Sequence, residues 1–453
     1  MKGAMLASLR GGRLGQRLRK SGSSALAIST VLQNAVRIVS TMCLTRLLSP
    51  DVYGLTGMIM SVFFVITMLS DVGFQAFIVR HRQSDDPDFL SAVWTIHAIR
   101  GAGLTLIAIL LAWPVSKLLD QPALVAPLAV SAFTFVIEGQ ASLHQFRALR
   151  DGRVQRNALM GLMIGASQTL AAILLAFFMR NIWAIVGSML VGSMVRVYLS
   201  HVLFTGERHV FRRSREVATD LWRFSRVIAA SSAMTLVISQ VDKLALSRIL
   251  PLNQFGTYVI AATLASAPTA FAFNYSYGIV YPAVASAWRQ GTSVKDTYYQ
   301  CWGHYFYLYA FGGGGLMLGA DLLIRTLYDP RYLPAAHYLN ILGLATAMAM
   351  LTNSMQEMLV GCGRTKATLE LNSVRLAWLV AGGLLALMRS QAIVLVLTIG
   401  LIEIPAYFYA AAVMHRQKLI RWNRELSILL AIAAGALVGG AISFAGRILL
   451  PNL

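Results

Sequence analysis

Apolar residues in this chain gather into thirteen stretches, each long enough to cross a bilayer, and the charged residues collect in the gaps between them. A spanning helix takes roughly 20 mainly apolar residues at about 1.5 Å of rise each. On that measure the first six spans are 24–48, 53–79, 90–112, 122–144, 157–179 and 181–204. A polar stretch follows, then 224–250, 255–288, 297–320, 335–361, 367–388 and 391–414, with a last span near 426–449. The expected fold is an all-α polytopic membrane protein of two six-helix bundles plus one C-terminal helix. Its expected parts are a basic leader (1–23), an N-terminal lobe (24–206), a linker (207–222), a C-terminal lobe (223–415) and an additional helix (425–450).

Composition agrees: 57% of the 453 residues are hydrophobic and 13% charged, with a mean hydropathy of +0.63. The net charge of +20 would suggest nucleic acid in a soluble protein, but here the basic residues sit in short loops. With the N-terminus placed inside, about 26 of them fall in inner gaps and about 8 in outer ones, the positive-inside bias. The N-terminus is therefore expected to be cytoplasmic, and no nucleic-acid partner is expected. The first apolar stretch carries Asn34 and Arg37 and is span-length, so it reads as a span and not as a cleaved signal. Cys43, Cys301 and Cys362 are scattered singly, so neither a disulfide framework nor a metal site is expected.

Two echoes divide the chain. Arg46-Leu47-Leu48-Ser49-Pro50-Asp51-Val52-Tyr53-Gly54 corresponds, 202 residues on, to Arg248-Ile249-Leu250-Pro251-Leu252-Asn253-Gln254-Phe255-Gly256, and Gly152-Arg153 is echoed by Gly363-Arg364. Six spans per copy is an even number, so both copies enter the membrane in the same sense. Parallel repeats of this kind are a transporter architecture with the substrate site between the halves. Gly54, Gly256 and the Gly312–Gly315 run are the hinge candidates, although close packing or a kink explains the run better.

Five cations lie inside spans: Arg37, Arg100, Arg196, Lys243 and Arg375. Each costs about 2.5–3.5 kcal/mol at span centre. Asn34 with Arg37, His97 with Arg100, and Asn372 with Arg375 are three apart, so each pair shares a helix face. Two roles compete. In one, every base pairs with an acid on a neighbouring helix, the acids available being Asp71, Glu138, Asp242, Glu357, Glu370 and Glu403. In the other, an excess of cations lines a wet cavity and receives an anion; guanidinium groups match phosphate by bidentate hydrogen bonds. The candidate substrate-binding residues are Arg37, Arg100, Lys243, Arg375, Asn34 and His97, with Asp71 and Asp242 as candidates for ion coupling. No catalytic group, metal ligand or cofactor is expected.

The runs Thr45-Arg46-Leu47-Leu48-Ser49-Pro50-Asp51-Val52-Tyr53-Gly54, Ser70-Asp71-Val72-Gly73-Phe74 and Gln240-Val241-Asp242-Lys243-Leu244 resemble signatures of the bacterial polysaccharide flippases, in the exporter superfamily of the multidrug extruders and lipid II flippases. The resemblance implies a V-shaped pair of six-helix bundles, cationic within. It also implies alternating access that carries undecaprenyl-pyrophosphate-linked oligosaccharides across the bacterial inner membrane, with Arg37 and Lys243 as cavity cations. Implied partners are the lipid-linked oligosaccharide, membrane lipids, and polysaccharide polymerase and export proteins. Thirteen spans depart from the twelve or fourteen that the family leads one to expect.

Two other readings remain. A multidrug or cation antiporter would want an acid-rich cavity. A membrane glycan polymerase or glycosyltransferase would want a sizeable outer loop, and the longest, Asp321 to Pro334, is short, although Asp321 and Asp329 could pair there. Tyr298, Tyr299, Tyr305, Tyr307 and Tyr309 could touch sugar, but packing and an interfacial aromatic belt explain them better.

Overall fold

The computed structural model describes residues 32–449 apart from 34, 71–72, 82, 151–153, 205, 365 and 390. Among these residues ten helices are long and apolar enough to cross a membrane. The chain is a multi-pass, all-α membrane protein. It divides into two compact units: one comprises Met1–Leu48 and Val62–Ala233, the other Ser49–Ser61 and Met234–Leu453.

The first unit holds α1 (35–47), the later part of α2 (Pro50–Leu69), α3 (Phe74–Arg80), α4 (Pro87–Leu118), α5 (Val125–Ser131), α6 (Phe133–Glu138), α7 (His144–Arg150), α8 (Val154–Met179) and α9 (Ile182–Val202), with the beginning of α10 (Arg215–Ile249). Helix α4 starts where Asp86 caps the Asp88 N–H at 3.0 Å and Pro87 supplies a helical φ without needing a partner. The expected span 122–144 is instead a chain of short helices. Thr105 of α4 explains the break, because its hydroxyl donates to the Ala132 carbonyl (3.1 Å) and accepts the Val136 N–H (3.1 Å). Gly101 lets these backbones meet, since a Cβ there would lie 2.5 Å from the Phe135 carbonyl oxygen.

Helix α10 begins nine residues before the expected span 224–250 and buries Val217, Leu221 and Ser225 at helical spacing. The segment before it is strapped to α4: the Arg212 N–H donates to Thr95 Oγ1 (2.9 Å), and Arg212 pairs with Asp88. His209 stacks on His144 with ring centroids 4.7 Å apart and accepts the Leu143 N–H on Nε2 at 3.2 Å. Burial, with smaller contributions from the neighbouring His144 and His201, lowers the His209 pKa to about 4.

The second unit continues with α11 (Leu252–Tyr275), α12 (Tyr281–Gln290), α13 (Val294–Gln300), α14 (His304–Leu327), α15 (Pro334–Gly361), α16 (Ala367–Arg389), α17 (Ala392–Gly400), α18 (Glu403–Arg416) and α19 (Trp422–Leu449). Helix α15 runs through its centre and is the most buried of the spans. Within the Gly312–Gly315 run, Gly313 and Gly314 pack closely. A Cβ on Gly313 would meet Ala347 Cα at 2.7 Å, and one on Gly314 would meet the Ile432 carbonyl oxygen at 2.0 Å. Gly435 and Gly439 of α19 answer from the other side, at 2.0 Å from the Phe311 and 2.4 Å from the Gly315 carbonyl oxygens, close backbone approach of the kind small residues give membrane helices.

The two copies of the repeat meet within this unit. A Cβ on Gly256 would stand 1.8 Å from the Pro50 carbonyl oxygen, and one on Gly54 would stand 2.6 Å from that of Leu252. These glycines are sites of backbone contact, which gives their side-chain absence a reason independent of hinging. Asp321, expected in an outer loop, lies within α14 and binds Arg325 (3.0 Å) and Arg447 (2.9 Å), while Asp329 caps the Arg331 N–H.

Candidate functional site

The deep cations separate by what surrounds them. In the first unit, Arg37 of α1 lines a cavity of about 430 Å³ together with Gln33, Thr41, Gln168, Thr169 and Ser188. Amides and hydroxyls on α1, α8 and α9 thus line the same cavity as the Arg37 guanidinium, which is itself exposed. Glycines make the room: a Cβ on Gly161 would sit 2.9 Å from Gln33 Nε2, and one on Gly192 would sit 3.2 Å from Gln168 Oε1. These walls are a donor-rich, wettable setting for an oxyanion or for sugar hydroxyls.

Arg100 and His97 share a face of α4 as expected, yet neither is among the residues lining the Arg37 cavity. The His97 Nδ1–H donates to the Gly139 carbonyl at 3.1 Å, which fixes the tautomer. Arg100 reaches the end of α2, donating from Nε to the Ser70 carbonyl (2.8 Å) and from Nη2 to Ser70 Oγ (2.9 Å). It satisfies carbonyls that a helix C-terminus leaves open. Asn34 and Asp71 lie outside the described residues.

In the second unit, Lys243 Nζ stands 3.5 Å from Gln240 Oε1, one turn back on α10. Asp242 points elsewhere: its Oδ2 accepts the Tyr258 hydroxyl at 2.6 Å, and its buried Oδ1 has no hydrogen-bond partner among the described residues. Arg375 is buried in an ion pair with Glu403 (2.8 Å), and Asn372 Oδ1 accepts from its other nitrogen at 3.2 Å. Arg196 pairs likewise with Glu138 at 3.2 Å, and Glu370 pairs with Arg364 at 2.9 Å. Three of the acids thus have basic partners.

Of the tyrosines considered as glycan contacts, Tyr298 and Tyr299 are buried. The hydroxyl of Tyr299 donates to Glu425 (2.9 Å), that of Tyr309 to the Thr346 carbonyl (2.7 Å), and that of Tyr307 meets Ser427 (2.9 Å). Packing accounts for these four. Sequence reasoning missed Gln168, Thr169 and Ser188, although a Gln-Thr pair inside a span is itself a visible polar interruption.

The sequence profile of the family described as "Polysaccharide biosynthesis protein" matches residues 43–337. The chain belongs to that family. ExoT of Rhizobium meliloti, a succinoglycan biosynthesis transport protein, is 23% identical over 54% of this chain and 50% of its own length. WzxC of Escherichia coli, a lipopolysaccharide biosynthesis protein, is 24% identical over 62% of this chain and 57% of its own. The match thus spans little more than half of these two relatives. The fold is shared with the lipid II flippase MurJ in its inward closed conformation, with a TM-score of 0.71 at 11% identity over 95% of this chain and 93% of that one. It is shared also with an inward-facing MATE-family multidrug transporter of the MOP superfamily, with a TM-score of 0.61 at 15% identity over 88% and 99%.

Proposed function

We propose that this member of the polysaccharide biosynthesis family is a flippase that moves lipid-linked oligosaccharides across the bacterial inner membrane by alternating access, with its N-terminus in the cytoplasm. The observation that carries this reading is the Arg37 cavity, which this guanidinium lines together with amides and hydroxyls from the same helix, α8 and α9. A sugar chain on undecaprenyl pyrophosphate cannot enter hydrocarbon, because each desolvated hydroxyl and phosphate oxygen would lose its water without replacement. A cationic, hydrogen-bonding chamber replaces that water, while the polyprenyl tail stays in lipid. The halves read from the repeat, 24–206 and 223–415, are the moving lobes in this proposal, and polysaccharide polymerase and export proteins receive the product.

Arg37 and Lys243 are the anion-holding cations, and Asn34, three residues before Arg37 in sequence, supports the first. Asp242, a carboxylate met by a tyrosine hydroxyl, is the candidate for ion coupling; Asp71 is a second. A multidrug antiporter on this fold would want acids where Arg37 and Lys243 stand. The reading is that of a transporter and not an enzyme, and Asp321 and Asp329, engaged by arginines and a backbone N–H, offer no free carboxylate pair for glycosyl transfer. Export of surface glycan from cells carrying Arg37→Ala or Lys243→Ala tests the proposal. Normal membrane insertion with lost export is expected; wild-type export from both variants overturns it.

A further inference from the structure

Between α11 and α12 the helix widens into a π turn, Ser276–Val280. The sequence gives the cause: Pro282 has no N–H to return to the carbonyl of Gly278, four residues back. Gly278 in turn leaves open space where a Cβ would stand. In a plain α-helix, positions i, i+4 and i+8 drift around the axis, because a turn takes 3.6 residues. A π turn takes more residues per turn and undoes that drift. The outcome is a row of parallel rings. Phe273 and Tyr277 have centroids 6.1 Å apart and planes 5° apart, and Tyr277 and Tyr281 follow at 6.0 Å and 4°.

This row is open. Tyr277 is 59% exposed, Phe273 49%, and Asn274 beside them is exposed as well. The hydroxyls of Tyr277 and Tyr281 are not engaged among the described residues, in contrast to those of Tyr258, Tyr275, Tyr299, Tyr307 and Tyr309. The row continues toward Trp288, which is 57% exposed. An interfacial girdle accounts for isolated rings. It does not account for a row of coplanar rings brought into register by a π turn.

We propose that Phe273, Tyr277 and Tyr281 form a stacking platform for the sugar rings of the carried glycan. A pyranose ring presents C–H groups on its faces, which suit an aromatic face, and hydroxyls at its edge, which suit the Asn274 amide and the tyrosine hydroxyls. The platform rests on the flippase reading and adds the part of the substrate that the cations do not hold. It reads the sugar; Arg37 reads the diphosphate.

The test uses the full chain in lipid nanodiscs with two probes: lipid-linked repeat units extracted from the cells that make them, and undecaprenyl diphosphate carrying no sugar. The Tyr277→Leu/Tyr281→Leu double variant keeps apolar bulk for lipid contact but loses stacking. It is expected to weaken the glycan-bearing probe about 10-fold, a loss typical of aromatic contacts, while binding the sugar-free probe as the wild type does. Tyr277→Phe/Tyr281→Phe is expected to restore most of the difference. Equal binding of the glycan-bearing probe by the Leu variant and the wild type overturns the platform alone, as does equal weakening of both probes. Failure of the wild type to bind either probe removes the flippase reading and the platform with it.

Discussion

Arg37 and Arg375 begin alike, each inside a span and each three residues after an asparagine, yet the structure gives them opposite surroundings. Arg375 in the second unit is buried against the Glu403 carboxylate, with Asn372 holding its other nitrogen. Arg37 in the first unit faces a cavity whose named polar walls are amides and hydroxyls. A buried pair of opposite charges is neutral outside itself and fixes helix packing. A guanidinium that lines a cavity with amides and hydroxyls is placed to meet an anion. Residue type alone does not report which of these surroundings a cation has.

The largest way to break this comparison is to exchange the consequences. Arg37→Ala is expected to lower glycan export about 100-fold, the worth of two charge-assisted hydrogen bonds, while the unfolding midpoint moves little. Quantifying export beside a thermal melt checks both halves. If Arg37→Ala unfolds the protein and leaves export per folded molecule intact, the two arginines have been assigned the wrong way round.

Glu403→Gln should do the reverse. It strands the Arg375 charge, and removing one partner of a buried pair costs about 3 kcal/mol, read as a lowered midpoint in detergent. The double variant Arg375→Met/Glu403→Leu should recover most of that loss, since apolar side chains of similar size replace such pairs at little cost. Export per folded molecule stays near wild type in both.

The smallest effect is in pH and lies outside both arginine sites, because arginine does not titrate in the accessible range. His209 is held neutral in the fold with its pKa near 4, below the ordinary 6.5. The unfolded chain therefore binds the extra proton between those values. Its contribution is present in full above pH 6.5 and is lost as pH falls from there toward 4. After allowance for partial exposure the loss is on the order of 1 kcal/mol. His209→Asn should flatten that part of the stability profile; an unchanged slope would show that the strap carries no such titration.

Much of the fold was legible in the amino acids. Span-length apolar stretches follow from a rule local to one helix. The break at Ala132 was not legible, because its cause is Thr105, a residue 27 positions away in sequence. The shift of the ninth span from 297–320 to His304–Leu327 has the same kind of origin: Tyr298 and Tyr299 are apolar enough to extend a hydropathy window, but they are buried in α13 with their hydroxyls engaged by Ser354 and Glu425. At the site, the i,i+3 pattern placed Asn372 with Arg375 and His97 with Arg100 on shared faces. It could not say that Glu403 would claim Arg375, or that Arg100 would reach the carbonyls ending α2. Partners of a buried charge are tertiary facts, and only the charge itself is written in one span.

The most direct measurement is the affinity of undecaprenyl diphosphate for the purified protein in nanodiscs, compared between wild type, Arg37→Ala and Arg375→Met/Glu403→Leu. The cavity account predicts binding weakened about 30-fold or more in Arg37→Ala, as expected for lost bidentate contacts to phosphate, and little changed in the double variant. Wild-type affinity in Arg37→Ala, or an equal loss in the double variant, would contradict it.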